Sequence, residues 1–524
     1  MDKVLRVLLI DLGSSRKEIN EPIGICAVAA YVEKYAQFGV EIDLRFLPLS
    51  QKPTREELVR FHVVGLSTKI GSLGQVFDVY SDICMIPACS RPLVVLGDLL
   101  ATFATQEILR LFPEFICVTG EGEEGFLQLL AAISEHGEPV CEIHRFLTSR
   151  YIPNLAYMVD GKYIQNESRL IKLELCPPPL RRFSKNVASL GGIVRNEGSR
   201  GCAWGKCSFC AIQHKYCNEA RWRPIPIERA VSELQELSQM GIKSPFYTDE
   251  DFLGDNPIRA IELATELLKK KSKGEIDRDM SLYVDMRVDS ILSKGHKGSP
   301  AGRQVLAKLK EAGLREVFIG LESGAKAQVK RYKKASTAHR NSMVLDVLND
   351  LGITFDIGFI MFDPEMDINE LSANISFLKQ TGLNKHDARM TKKLRIEPGT
   401  PLVAEYRAKN LISGGLDVDD LTYPYRWKYS QAEDVYATYS EWEQELSEDV
   451  YEIQARTRGE VGSEDLRREW RTILGEVREI ELSALEFITS RVSARIEIDK
   501  SELRSLQDAR NELILCAKRA MNIL

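Results

Sequence analysis

The chain has 524 residues, of which 44% are hydrophobic, so it is long enough for two or three domains with apolar cores. Its 70 Lys and Arg residues against 76 Asp and Glu residues give a net charge of −6, which argues against a general polyanion binder. No segment holds 18 uncharged apolar residues, and Asp11 interrupts the short apolar run at the N-terminus, so neither a membrane span nor a signal peptide is expected. The eleven cysteines, most of them scattered in apolar stretches, indicate free thiols in a reducing cytoplasm.

Residues 1–140 alternate short β-rich runs with helical patterns. Continuous apolar runs of this length favour a parallel sheet covered on both faces, and therefore an open, doubly wound α/β domain. Ligands of such sheets bind at the carboxyl ends of the strands, where this sequence places loops rich in Gly and Ser. Those small residues would let a large planar ligand approach the backbone, although they are also ordinary turn residues. The predicted strands are 4–10, 41–47, 63–67, 93–97 and 115–120.

Residues 141–184 resemble a connector with a small hairpin at Asp160 and Gly161. A second α/β unit follows over 185–410. Its six β/α repeats predict a partial (β/α)6 barrel rather than a complete barrel of eight. The predicted strands after the first are 244–249, 281–287, 316–322, 354–362 and 391–397, and the predicted helices are 226–240, 257–271, 302–312, 339–351 and 367–381.

Residues 411–524 are charged and helical and predict a C-terminal helical domain or cap. An aromatic stretch near its start contains Tyr423, Tyr425, Trp427 and Tyr429. These rings could stack on a planar substrate or close the barrel mouth, or they could pack a helix onto a core.

Three cysteines, Cys202, Cys207 and Cys210, follow the first barrel strand, at the face where barrel active sites lie. Closely spaced thiolates favour an iron–sulfur cluster or zinc, and coincidence is the third possibility. A structural zinc site normally has four ligands, so three cysteines suggest a metal centre with one open position. Cys217 could supply a fourth ligand.

The three cysteines, the aromatic Phe209 and the six repeats resemble the radical S-adenosylmethionine (SAM) enzymes over roughly 185–405. The usual spacing in that family is Cys-x3-Cys-x2-Cys, and this chain has one more residue in the first gap. The resemblance implies a [4Fe–4S] cluster on Cys202, Cys207 and Cys210, with SAM on the fourth iron. One electron from the cluster would then cleave SAM to a 5′-deoxyadenosyl radical.

The resemblance also implies the surroundings of SAM. One of the three acids at 249–251 would accept hydrogen bonds from the methionyl ammonium, and the arginine at 287 would face the carboxylate. The residues implied in SAM binding are Phe209, Asp249, Glu250, Asp251, Arg287, Glu322 and Ser323.

The N-terminal domain, taken with the barrel, resembles the cobalamin-binding branch of this family, in which the first domain is flavodoxin-like. Family members that coordinate cobalt with histidine carry Asp-x-His-x-x-Gly after the first strand, whereas this chain has Gly13 in place of the histidine. The resemblance therefore implies cobalamin without a protein nitrogen on cobalt, with Lys69 holding a water or crowding the lower face. The implied cobalamin residues are Gly24, Gly65, Ser67, Thr68, Lys69, Ile70, Gly97, Asp98, Gly120, Gly122 and Glu123.

The function predicted from this resemblance is methyl transfer to an unactivated carbon of a small molecule or a peptide. The alternatives are a cyclisation, oxidation or rearrangement without methyl transfer, and a methylthiotransferase acting on tRNA. The last would need three cysteines for a second cluster, and Cys84 and Cys89 lack a third partner in sequence. A zinc-bearing or iron–sulfur scaffold is the non-enzyme alternative. The expected partner is an electron donor such as flavodoxin or ferredoxin, and neither a membrane nor a nucleic acid is expected. The sequence identifies no catalytic residue.

Overall fold

A computed structural model describes residues 4–14, 19–136, 143–219, 221–295, 300–458 and 464–522. Its N-terminal part is a seven-stranded sheet in the order β2-β1-β3-β4-β5-β6-β7. The first five strands run parallel, and the last two form an antiparallel hairpin that extends the sheet at β5. The hairpin predicted within the connector therefore continues this sheet. The strands are β1 Leu5–Asp11, β2 Val40–Phe46, β3 Val63–Thr68, β4 Leu93–Gly97, β5 Ile116–Val118, β6 Leu155–Val159 and β7 Lys162–Gln165.

Helices cover both faces of this sheet, as predicted for a doubly wound domain. Ile23–Tyr35 and Gly122–His136 share one apolar core with the first face. Leu73–Cys84, Asp98–Phe103 and Thr105–Leu111 share another core with the opposite face. Shorter helices are Arg55–Leu58 and Ile143–Leu147.

The register of the central strands determines which loops meet. Asp11 at the end of β1 pairs with Ser67 on β3, and Ser67 pairs with Gly97 at the end of β4. Three of the ligand-bearing loops therefore leave the sheet side by side, at its carboxyl edge.

The second unit is a five-stranded parallel sheet in the order β14-β13-β12-β11-β8, beside a two-stranded antiparallel ribbon of β9 and β10. The prediction of a sixth strand at 391–397 is wrong in extent. Its residues form one parallel bridge, between Lys393 and Phe362. The backbone nitrogens of Met361 and Leu394 also donate hydrogen bonds between these two segments. The strands are β8 Arg195–Asn196, β9 Ser199–Arg200, β10 Arg223–Pro224, β11 Phe246–Tyr247, β12 Leu282–Met286, β13 Leu314–Glu322 and β14 Thr354–Phe359.

The helices between these strands lie within two residues of their predicted bounds. Local capping helps to fix their starts; Asp367, for example, accepts hydrogen bonds from the backbone nitrogens of Asn369 and Glu370 at 2.8 and 2.9 Å. The long helices are Ile227–Gln239, Pro257–Ser272, Gly302–Ala312, Ala338–Leu351 and Ile368–Gln380. The short helices are Ser184–Ser189, Ile212–Lys215, Val288–Ile291 and Lys326–Arg331.

The C-terminal region is helical, as predicted. Its longest helix, Glu464–Ala494, packs Leu482, Leu485 and Ile488 into the barrel core and buries Trp470 in a small core of its own region. None of the described helices combines the length and the apolar character needed to cross a membrane. The helices of this region are Pro401–Ala408, Ser430–Glu443, Ser447–Arg458, Glu464–Ala494 and Lys500–Asn522.

Candidate active site

A cavity of about 1090 Å³ opens at the carboxyl edge of the N-terminal sheet. Apolar side chains from β1, β4 and β5 form its inner wall, and residues of the barrel unit, among them Glu197, Arg200 and Lys215, close its other side. Eight of the eleven predicted cobalamin residues line it: Gly24, Gly65, Ser67, Gly97, Asp98, Gly120, Gly122 and Glu123.

Two of the glycines keep this cavity open. A Cβ atom at Gly24 or at Gly97 would meet no atom within 4 Å, so a side chain at either position would enter the free space. Position 65 requires glycine for a different reason: a Cβ atom there would lie 2.5 Å from Leu9 Cδ2, inside the packing of the sheet. The slot therefore has apolar walls and an unobstructed backbone rim, which suits a large planar group such as a corrin with its nucleotide tail.

A polar cluster lies where the three strand ends meet. The Ser67 hydroxyl donates 3.1 Å hydrogen bonds to the carboxylates of both Asp11 and Asp98, and Lys69 forms an ion pair with Asp11. Burial lowers the pKa of Lys69, but the carboxylates of Asp11 and Asp98 outweigh it and raise that pKa. Lys69 is therefore a protonated donor without a free lone pair, which favours the prediction that no protein nitrogen binds cobalt.

Three of the predicted cobalamin residues, Thr68, Lys69 and Ile70, do not line this cavity. The Thr68 hydroxyl donates a 2.7 Å hydrogen bond to the carbonyl of Gly97, and Ile70 packs into the apolar core on one face of the sheet. Lys69 lines a second cavity of about 1800 Å³ that shares Gly24 and Asp98 with the first and reaches Thr248 of the barrel. The space at the sheet edge thus continues toward the barrel mouth.

A buried ionic network joins the two α/β units. Arg200 of β9 forms ion pairs with Glu121 at 3.1 Å and with Glu123 at 2.7 Å, and Arg223 also binds Glu121, at 2.7 Å. Glu123, which the resemblance placed by the nucleotide tail, lines the cavity while its carboxylate is held by Arg200. Because Arg200 stands two residues before Cys202, this network connects the cobalamin slot to the start of the cysteine loop.

The cysteine loop, residues 202–210, is attached to the segment that follows β13. Ser208 donates a backbone hydrogen bond to the Tyr332 carbonyl at 3.0 Å and a side-chain hydrogen bond to the Arg331 carbonyl at 2.9 Å. Trp204 Nε1 donates to the Lys333 carbonyl at 3.0 Å, and the ring of Phe209 meets that of Tyr332 edge-on at 5.2 Å. Phe209 therefore orients the loop through an aromatic contact.

The three thiols are half-buried, and their charges act on one another. Burial raises the pKa of Cys207 to about 12 and that of Cys210 to about 11, so both are thiols until a metal replaces the proton. Within the described residues, no three His, Cys, Asp or Glu side chains are already arranged around one metal ion. Cys217 lies apart, near Ser168 and the ionic network, so the structure gives no support for it as a fourth ligand.

The three predicted SAM acids bind the backbone just before and within this loop. Asp249 accepts hydrogen bonds from Gly198 N at 2.8 Å and from the Ser199 hydroxyl at 2.5 Å. Glu250 and Asp251 accept from the backbone nitrogens of residues 201 and 203 at 3.0 and 3.3 Å. Burial raises the pKa of Asp249 to about 8, because the hydrogen bonds offset only part of the desolvation. The acids thus position the cysteine loop, and their contact with SAM stays a prediction.

The remaining predicted SAM residues fall into two groups. Arg287 pairs with Asp251 at 3.2 Å, and the Ser323 hydroxyl is buried in a network with Gln328 and Asn374, so both side chains are engaged within the protein. Glu322 differs, because it adopts a φ of 64° at the end of β13 and pairs with Lys334 at 2.8 Å. A non-glycine residue in that conformation is uncommon and is found more often at functional sites.

Sequence reasoning missed three cations and a tyrosine that surround the site. Lys334 lies beside Cys207 and Glu322, while Lys215 and Tyr216 hold Glu250 at 2.7 and 2.8 Å and line both cavities. Arg200 joins the two units through the network described above. The short helix Ile212–Lys215 brings Lys215 to the lining of the first cavity.

The aromatic stretch packs against the barrel, and its stacking on a substrate stays a prediction. Tyr423, Tyr425 and Trp427 line an open cavity together with Lys393, and Trp427 also packs edge-on against Phe362 of the barrel at 6.4 Å. The Tyr425 hydroxyl is buried and has no hydrogen-bond partner within the described residues.

Residues 196–378 match the sequence model of the Radical SAM superfamily. The matched region contains Cys202, Cys207 and Cys210. It is 27% identical over 343 residues to the 4′-phospho-dehydrooxetanocin synthase of Priestia megaterium, covering 61% of this chain and 43% of that protein. It is 24% identical over 358 residues to the anaerobic magnesium-protoporphyrin IX monomethyl ester cyclase of Rubrivivax gelatinosus, covering 64% and 58%. The chain thus spans about half the length of these relatives.

Solved structures resemble this chain over nearly its whole length. The cobalamin-dependent radical SAM enzyme OxsB with aqua-cobalamin bound superposes with a TM-score of 0.80 at 18% identity, covering 99% of this chain and 81% of that one. The radical SAM methyltransferase TsrM from Kitasatospora setae, with cobalamin and a [4Fe-4S] cluster bound, gives 0.66 at 14% identity and covers 99% and 100%. At these identities the likeness shows the fold, and the predicted fold of a cobalamin-dependent radical SAM enzyme is confirmed.

Proposed function

We propose that this radical SAM chain binds cobalamin in the slot at its N-terminal sheet edge and transfers a methyl group to an unactivated carbon. One observation carries the proposal: a single cavity runs from Gly24 and Gly97 of the first unit to Arg200 and Lys215, which flank the cysteine loop. Two cofactor sites joined by one space can act on the same substrate atom. A small molecule or a peptide is the substrate class we propose.

The chain's own residues would hold the groups as follows. Cys202, Cys207 and Cys210 would ligate the cluster, and Glu322, in its strained conformation beside Cys207, would contact SAM. The loop acids and the segment after β13 would keep the three cysteines in place. When bound, the cluster and SAM would supply the 5′-deoxyadenosyl radical, and methylcobalamin would supply the methyl group.

Lys69, held protonated by Asp11 and Asp98 beside the slot, would offer no lone pair to a bound cobalamin. Lys215, held by Glu250 at 2.7 Å, would form part of the wall between the slot and the cysteine loop. The buried pairs of Arg200 with Glu121 and Glu123 would fix the distance between the two cofactors.

A second candidate uses the same parts for a ring closure or rearrangement without methyl transfer. The names of the relatives favour it, since one is a synthase and another a cyclase. The two reactions differ in whether the product gains a carbon.

The test is incubation of the reconstituted chain with candidate substrates and with SAM and methylcobalamin that both carry a labelled methyl group, followed by mass spectrometry. Methyl transfer predicts 5′-deoxyadenosine together with a product that carries one labelled methyl. Formation of 5′-deoxyadenosine with an unlabelled, altered product would establish the second candidate. No 5′-deoxyadenosine from a chain with an intact cluster would contradict both.

A further inference from the structure

Positive charge is segregated around the cysteine loop. Residues 198–218 and residues 323–345 contain cations but no Asp or Glu, in a chain whose net charge is −6. The two segments touch through Trp204 with Lys333 and through Ser208 with Arg331. The two segments together form one region whose own sequence contains no acid.

The buried cations of these segments are neutralised. Arg331 pairs with Asp363 and Glu370, each at 2.7 Å, and Lys334 pairs with Glu322. The exposed cations have no carboxylate partner within the described residues. We call these four the basic face; they are Lys206, Lys326, Lys330 and Lys333.

The basic face lies directly over the cysteine loop. Lys206 precedes Cys207, and its Nζ stands 5.2 Å from the centroid of the partly exposed Trp204 ring. Helix Lys326–Arg331 ends where Ser208 is bound. None of the four lysines lines either cavity at the sheet edge, so their charge does not serve the cobalamin slot.

We propose that the basic face docks the acidic one-electron carrier protein that reduces the cluster, a proposal that rests on the proposed function. One electron leaves the reduced carrier and enters the cluster, taking it from [4Fe–4S]²⁺ to [4Fe–4S]⁺, while the carrier is oxidised by one electron and no atom moves. Electron-transfer partners form small contacts that opposite charges steer. Four exposed lysines on two segments that meet at Trp204 form a compact patch, which fits such a contact better than the extended track of phosphates that a nucleic acid presents.

The test compares two triple variants with the same change in net charge. The first is Lys326→Glu/Lys330→Glu/Lys333→Glu, in which the loop residue Lys206 is left intact. The control is Lys162→Glu/Lys185→Glu/Lys500→Glu, at exposed lysines elsewhere that also have no carboxylate partner within the described residues. The readout is the anaerobic rate of cluster bleaching by fully reduced flavodoxin and, separately, by dithionite.

At low ionic strength we expect the basic-face variant to be reduced at least about tenfold more slowly by flavodoxin, and the control to match the wild type. The difference should shrink as salt screens the charges, and dithionite should reduce all three proteins alike. Equal flavodoxin rates in the two variants would overturn the proposal.

Binding of flavodoxin to each protein, measured without a cluster, separates this proposal from the proposed function. If no cluster can be assembled, the proposed function fails, and binding lost only in the basic-face variant would still support the docking surface. Binding of tRNA to each protein is measured in parallel. Unchanged flavodoxin binding by the basic-face variant would overturn the docking proposal, whether or not that variant loses tRNA binding.

Discussion

The edge of the N-terminal sheet and the mouth of the barrel present their predicted site residues in opposite ways. At the sheet edge, Gly24 and Gly97 leave free space in a slot with apolar walls. At the barrel mouth, Asp249 and Asp251 are buried and already accept hydrogen bonds from the protein. The slot at the sheet edge exists because its glycines have no side chains, whereas the acids at the barrel mouth already accept hydrogen bonds within the protein.

The difference follows from the cost of burying charge. A buried carboxylate needs donors at all times, so the protein supplies backbone N–H groups to it whether or not a cosubstrate is bound. A glycine has no such requirement and can keep a cavity open. The acids after β11 are therefore positioning residues for the cysteine loop in this structure, and any contact with SAM would have to share their oxygens.

The largest effect is expected from removing the cluster ligands. Replacing Cys202, Cys207 and Cys210 together with Ala should abolish the iron–sulfur absorption and leave cobalamin binding nearly intact, because the slot is built by the other unit. Iron content and the corrinoid absorbance of the gel-filtered protein measure both. Loss of both cofactors from a soluble, folded variant would show that cobalamin binding depends on the cluster site.

The second largest effect is expected from removing Asp251, which accepts a hydrogen bond from the cysteine loop. Asp251→Ala removes the acceptor of the Ala203 and Gly254 backbone nitrogens and leaves Asp289, at 3.2 Å, as the carboxylate partner of Arg287. Each buried donor left without a partner costs about 1–3 kcal/mol. We expect most of the cluster to be lost, whereas Asp255→Ala, at an exposed neighbour, should retain it. Full iron content in the Asp251 variant would mean that the acids do not position the loop.

The next effect concerns Glu322, the predicted SAM residue whose left-handed backbone conformation most favours a functional role. Glu322→Ala should weaken SAM binding roughly 10- to 100-fold, the effect of one charge-assisted hydrogen bond of about 1.5–3 kcal/mol, without loss of the cluster. Equilibrium binding to the reconstituted protein gives the ratio. An unchanged dissociation constant would mean that the strained conformation serves the pairing with Lys334 alone.

The glycine slot can be closed by a single side chain. Gly24→Leu should lower cobalamin affinity at least about tenfold, or about 1.4 kcal/mol, because the added atoms enter the cavity. Gly74→Leu is the matched control, since Gly74 also occupies the second position of a helix with free space around it but does not line the cavity. Equal affinities for the two variants would place cobalamin elsewhere.

Much of the fold could be predicted because local patterns carry it. Apolar runs predicted the strands of both sheets, and small residues at strand ends predicted most of the slot. The exceptions are informative: β3 is buried along its whole length, so its residue pattern could not indicate that the Thr68 hydroxyl binds the Gly97 carbonyl instead of lining the cavity. The sixth barrel strand keeps the buried pair Leu394 and Ile396 but has only one bridge to its neighbour.

The contacts that join the units could not be predicted. Arg200 and Glu123 are 77 residues apart, and an ion pair over that distance leaves no periodicity in the sequence. The same holds for Lys334, which reaches Glu322 only because β13 ends in a left-handed residue. Long-range ionic pairing is thus the part of this site that needed the structure.

The central claim is that the slot above Asp11, Ser67, Lys69 and Asp98 holds cobalamin without a protein nitrogen on cobalt. Electron paramagnetic resonance of the Co(II) form, recorded on gel-filtered protein, tests it most directly. The account predicts a protein-bound signal with cobalt hyperfine lines and no triplet splitting from an axial nitrogen. A resolved nitrogen triplet, or the absence of any protein-bound cobalt signal, would contradict it.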